Sequence, residues 1–143
     1  MKTFEEFTAK GTVRKQTPNP ERARALVNEA ENKKEFLEIA MKNIPVEQVS
    51  PNFVVESCYD ILLELIRAKM FIDGFNSGNS HEAEVSYARL LGIDEDDVRF
   101  MDELRYFRNG IKYYGRSLDK EYADKTLNFL QRIYPLIKAK VRP

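Results

Sequence analysis

Ser50-Pro51-Asn52-Phe53-Val54-Val55-Glu56-Ser57-Cys58-Tyr59-Asp60-Ile61-Leu62-Leu63-Glu64-Leu65-Ile66-Arg67-Ala68-Lys69-Met70-Phe71 is the stretch that decides the fold. Ser50 is an N-cap residue and Pro51 suits the first helical position, while Gly74 lies just beyond the apolar run and stops it. Glu56, Asp60, Glu64 and Arg67 recur at helical spacing on one narrow stripe, and most other positions are apolar. A helix of this kind must be covered on nearly every side, so it predicts the central member of a bundle. Its charges, with Lys69 and Asp73, exclude a bilayer span.

Outward from this helix, nearly every Gly and Pro falls between apolar-periodic segments. Asn19-Pro20 repeats the start signal and predicts a helix to about Asn43, closed by Pro45, with Leu26, Ala30, Leu37, Ala40 and Met41 inward. Asn79 and Glu82 are spaced as a capping box for a short helix ending at Gly92. The acids Asp94 to Asp97 suit the N-terminus of a helix that runs through Arg108 toward Gly115. A last helix opens near Asp119, with Ala123, Leu127, Leu130, Tyr134, Ile137 and Val141 as its packing stripe and Pro135 as an expected kink. Residues 1–18 lack clear periodicity and read as an N-terminal arm or loosely docked segment before a single helical domain over 19–143. No segment has strand alternation. The expectation is an all-α, up-down antiparallel bundle of four to five helices.

Composition narrows the function. Of 143 residues 43% are apolar, enough for a core, and 23 basic residues balance 23 acidic ones. No whole-molecule field draws in nucleic acid, so any such binding needs a local patch. One cysteine and one histidine are too few for a zinc site, and no cofactor is expected. The acidic N-terminus Glu5-Glu6 lacks the apolar segment of a signal peptide, and the lone Cys58 allows no internal disulfide. The expectation is a cytoplasmic protein without membrane association.

One segment breaks the pattern. Between Leu104 and Leu118 there is no acid, and Arg105-Tyr106-Phe107-Arg108-Asn109-Gly110-Ile111-Lys112-Tyr113-Tyr114-Gly115-Arg116 interleaves four bases with four aromatics. Guanidinium forks suit phosphate oxygens and rings suit bases, so the segment could hold RNA or a nucleotide. It could equally be the basic end of a helix whose rings serve the core. Met101, Leu104, Arg108 and Ile111 share one helical face, which sets a guanidinium inside an apolar stripe and requires a partner for it. That partner could be an acid of another helix, an acid across a dimer interface, or a ligand phosphate. Gly110, where alanine would be about 1 kcal/mol better, suggests a local distortion or a close approach.

These residues resemble the HEPN family of small all-α domains from prokaryotic toxin–antitoxin and RNA-processing systems. The resemblance spans residues 20–140. It rests on the opening Arg22-Ala23-Arg24-Ala25-Leu26, on the long apolar helix around Cys58-Tyr59-Asp60 with Ser80-His81-Glu82 after its Gly-containing turn, and on Arg108-Asn109 followed by Tyr113-Tyr114-Gly115. It implies a homodimer, metal-independent RNA cleavage by an arginine and a histidine, and in some systems a minimal nucleotidyltransferase as antitoxin partner. Arg108 and Asn109 match the first two motif positions, but the histidine position falls on Tyr113 or Tyr114. A phenol of pKa about 10 is a poor general base at neutral pH. The expected function is therefore RNA or nucleotide binding with weakened or absent ribonuclease activity. Arg108, Asn109 and Tyr113 are the candidate catalytic positions, and Arg105, Arg108, Lys112, Tyr114 and Arg116 the candidate binding positions. A divergent endoribonuclease, with Tyr113 or with His81 brought in by the fold, and a nucleotidyltransferase-binding subunit are the alternatives. His81 reads as a capping-region side chain, Cys58 as a core residue, and Lys69 with Asp73 as a helix-end ion pair, with a polar lining opposite Arg108 as the alternative.

Overall fold

A computed structural model describes residues 1–141; Arg142 and Pro143, the end of the expected domain, lie outside the described residues. It is an all-α bundle. In chain order it contains α1 (Phe4–Ala9), β1 (Arg14–Lys15), α2 (Pro20–Asn43), α3 (Pro51–Asp73), β2 (Phe75–Asn76), α4 (His81–Tyr87), α5 (Glu95–Tyr114) and α6 (Lys120–Lys140). The long helices begin where their caps predict. Asn19 Oδ1 accepts from the Arg22 N–H at 3.1 Å, Ser50 Oγ from Phe53 at 3.3 Å and Asp119 Oδ1 from Tyr122 at 2.8 Å. Each bond satisfies a donor that the first helical turn leaves open.

Helix α3 is central: α2 and α6 pack along it, and α4 and α5 contact both it and each other. Every residue from Ile61 to Ile66 is buried, as are Val54, Val55, Cys58, Tyr59, Ala68, Met70 and Phe71. Truncating Leu62 or Ile66 to alanine would cost about 2–5 kcal/mol at such positions. On α6 the expected stripe is buried apart from the half-buried Leu127, and Thr126, Phe129 and Ile133 join it. The helix continues through Pro135, which faces outward, to Lys140.

Two readings of the sequence change. Residues 1–18, expected as an arm or loosely docked segment, are packed on the helical body. Thr3 and Glu6 form a reciprocal capping box for α1, and Phe4, Phe7 and Val13 are buried. The Phe4 ring meets Tyr87 edge-on at 4.7 Å and Phe75 at 5.2 Å, and β1 pairs antiparallel with β2. A six-residue helix and a two-residue strand are too short to show a period. Gly74 makes the docking possible: it caps α3 at φ +83°, and a Cβ there would lie 2.7 Å from the Gln16 carbonyl oxygen. The cap of α4 also shifts by one residue. Ser80 Oγ, not Asn79, accepts from the Ala83 N–H at 3.2 Å, because Asn79 takes a left-handed turn position at φ 69°. Among the described residues no helix is long and apolar enough to cross a membrane.

Candidate functional site

The last three turns of α5 carry every predicted site residue but Arg116, and the structure divides them between two faces. On the outer face Tyr106, Asn109, Gly110, Tyr113, Tyr114 and Arg116 line a cleft of about 350 Å3. Tyr106, Tyr113 and Tyr114 are 60%, 67% and 85% exposed. Of the segment's aromatics only Phe107 packs inward, its ring 5.1 Å from that of Tyr122. The alternative in which these rings complete the core thus fails for all three tyrosines.

Arg116 follows the Gly115 turn and folds back over α5. Its N–H donates to the Gly110 carbonyl at 3.1 Å, and its guanidinium lies 5.5 Å from the Tyr106 ring and 5.4 Å from that of Phe107. A Cβ at position 110 would stand 3.3 Å from Arg116 Cδ, so Gly110 marks a close approach. Asn52, at the start of α3, holds the turn from outside. It donates to the Arg116 carbonyl at 3.0 Å and accepts from the Leu118 N–H at 2.8 Å. Lys112 is exposed, and Arg105 is tied to Asp102 at 2.8 Å.

On the inner face, Arg108 has a side chain only 17% exposed. Its partner is an acid of another helix: Asp60 of α3, at 3.9 Å, an ion pair longer than a hydrogen bond. The guanidinium also lies 6.0 Å from the centre of the Tyr59 ring. The Tyr59 hydroxyl reaches His81, with Oη and Nδ1 3.3 Å apart. Burial pushes the Tyr59 hydroxyl well above its ordinary pKa, so it stays protonated. Burial likewise holds His81 below its ordinary value, and Arg108 and Arg67 push the same way against Glu84 and Asp60. The imidazole is therefore neutral near pH 7. If Nδ1–H donates to the phenol oxygen, Nε2 is left as a free acceptor.

The charged stripe of α3 is not a solvated face. Arg67 Nε and Nη2 reach the two oxygens of the fully buried Glu84 at 2.6 and 2.9 Å, and Ser77 Oγ donates to Glu84 Oε2 at 2.7 Å. Lys33 of α2 pairs with Glu64, whose Oε2 is buried without a hydrogen-bond partner among the described residues. Lys69 and Asp73 form the expected pair at 2.9 Å, with the Tyr87 hydroxyl also on Asp73, so neither faces Arg108. Burial raises the Cys58 thiol to about 12, which leaves it unreactive. Among the described residues no group of three His, Cys, Asp or Glu side chains could hold a metal ion.

The sequence grouped Arg108, Asn109 and Tyr113. The structure places Asn109 and Tyr113 in the cleft with Tyr114 and Arg116, and turns Arg108 toward Tyr59, Asp60 and His81. Tyr59 and Asp60 were missed as site residues, although Asp60 stands on the charged stripe. The position of His81 depends on the loop Asn76–Ser80, whose path no local signal reveals. The chain matches no protein-family model, no curated protein and no solved structure.

Proposed function

We propose that this chain is a HEPN-like RNA- or nucleotide-binding protein acting as a homodimer. The observation that carries the reading is the cleft: three exposed tyrosines beside an amide and a guanidinium, on the acid-free end of a helix. Exposed rings interleaved with bases suit stacked nucleotides and their phosphates. Arg108 supports it, because its long pair with Asp60 is one that a phosphate oxygen could replace with shorter bonds.

The test is filter retention of end-labelled mixed-sequence RNA in excess chelator. Retention that falls with salt, and that weakens about tenfold in Arg108→Ala and in Tyr113→Ala, is the expected outcome. Salt-independent retention, or none, would overturn the reading. The homodimer is read by size-exclusion chromatography with light scattering in the same buffer, where a mass of one chain counts against it. Co-purification with a nucleotidyltransferase encoded beside it would instead favour the interaction-subunit alternative.

The Arg108–Tyr59–His81 arrangement favours a second reading, metal-independent RNA cleavage. A neutral imidazole could take the ribose 2′-hydroxyl proton as that oxygen attacks phosphorus. The 5′-oxygen then leaves with a proton from solvent, and a 2′,3′-cyclic phosphate results. Arg108 would carry the charge on the phosphate. Cleavage lost in both His81→Asn and Arg108→Ala supports this reading, and intact RNA across a broad pH range rejects it.

A further inference from the structure

Gly110 occupies a mid-helix position where almost any other residue would make a better helix. What fills the space of its missing side chain is the stem of Arg116, laid across it toward the Tyr106 and Phe107 rings. The pose is held at both ends: the Arg116 N–H is on the Gly110 carbonyl, and the Arg116 carbonyl is on Asn52. The Arg116 backbone is thus anchored, and its guanidinium, stacked toward Tyr106 and Phe107, stands at the wall of the cleft. Asn109 opens into the same space, half-buried and with no hydrogen bond to a described side chain, and Tyr113 stands one turn further on.

We propose that this cleft is an adenine-selective base subsite, with Arg116 as one stacking wall, Tyr113 as the other, and Asn109 reading the base edge. A planar cation and a phenol ring both stack on heteroaromatic rings, and a bicyclic purine covers more of each than a pyrimidine does. The Asn109 amide presents one donor and one acceptor. Adenine answers with its N7 acceptor and N6 donor, whereas guanine offers two acceptors on that edge. Gly110 is then a specificity determinant at one remove, since it lets Arg116 lie flat.

This inference rests on the RNA- or nucleotide-binding reading, and the experiment separates their failures. AMP, GMP, CMP and UMP are titrated by calorimetry into the parent, Asn109→Ala, Arg116→Met and Gly110→Ala, and oligo(A) and oligo(U) retention is measured alongside. AMP should bind about tenfold tighter than CMP or UMP and more tightly than GMP. Asn109→Ala should abolish the preference for AMP over GMP. Arg116→Met, which keeps the aliphatic stem over Gly110, should weaken both purines about tenfold. Gly110→Ala should weaken purines while its circular dichroism stays that of the parent. Equal affinity for the four nucleotides, with RNA retention still dependent on Arg108 and Tyr113, would overturn the adenine subsite alone. No binding of any nucleotide or oligomer would overturn both.

Discussion

Arg108 is the residue whose setting the sequence describes best and whose role it describes least. Its place among Met101, Leu104 and Ile111 showed that the guanidinium is drawn inward and needs a partner. Which partner could not be read, because Asp60 lies 48 positions away and meets it only through the packing of α5 on α3. Tyr59 and His81 make a residue-scale prediction. Tyr59→Phe removes the hydroxyl from His81 and should cost about 1 kcal/mol in urea unfolding, with the ring packing kept. His81 also makes stability depend on pH. Its folded pKa is depressed, so between that value and about 6.5 the unfolded chain binds the extra proton. Stability should therefore fall as pH drops through that window and be fully recovered above it. The groups facing His81 are Tyr59, Asp60 and Arg67 of α3, Glu84 of α4 and Arg108 of α5. Unfolding midpoints at pH 7.5 and 5.5 should differ for the parent and converge in His81→Asn.

Elements long enough to repeat their period were legible: α2, α3, α5 and α6 begin and end within a residue or two of their capping signals. The short ones were not. Helix α4 has seven residues, and its start moved from Asn79 to Ser80 because Asn79 serves the turn. A charge pair fixes α4 on α3 beside its buried apolar face of Ala83, Val85 and Tyr87: Arg67 meets both oxygens of Glu84. Breaking such a pair on one side leaves a buried charge uncompensated, which costs about 3–5 kcal/mol. Glu84→Ala should lower the urea midpoint accordingly. It should also loosen His81, three residues earlier on the same helix, and broaden its imidazole proton signals. Arg67→Met with Glu84→Leu should recover most of the loss, as expected when the pair is replaced by apolar packing.

At the scale of the molecule, the N-terminal segment belongs to the same packed body as the long helices. Phe4, Phe7 and Val13 are part of the core cluster, and Phe4 closes over Phe75 and Tyr87. A chain beginning at residue 18 should lose well over the roughly 3 kcal/mol of a single buried phenylalanine, and differential scanning calorimetry should show a much lower Tm. The central place of α3 followed from its own composition, since a helix so apolar must be surrounded, and the order of the other long helices followed from their own caps and breakers. The two-faced site did not, because it depends on how α5 is rotated against α3 and on where Arg116 returns after Gly115. Asn52 controls that return. Its amide does for the five-residue α5–α6 connection what a ladder does for a strand, binding one carbonyl and one N–H of the passing chain. The connection is thereby tied to α3 at two points. Leu118 should exchange its amide hydrogen slowly for a connecting residue, and a base entering the cleft should meet no ordering cost from this wall. Association would then be governed by diffusion and charge rather than by loop closure, and affinity would be set by the rate of departure.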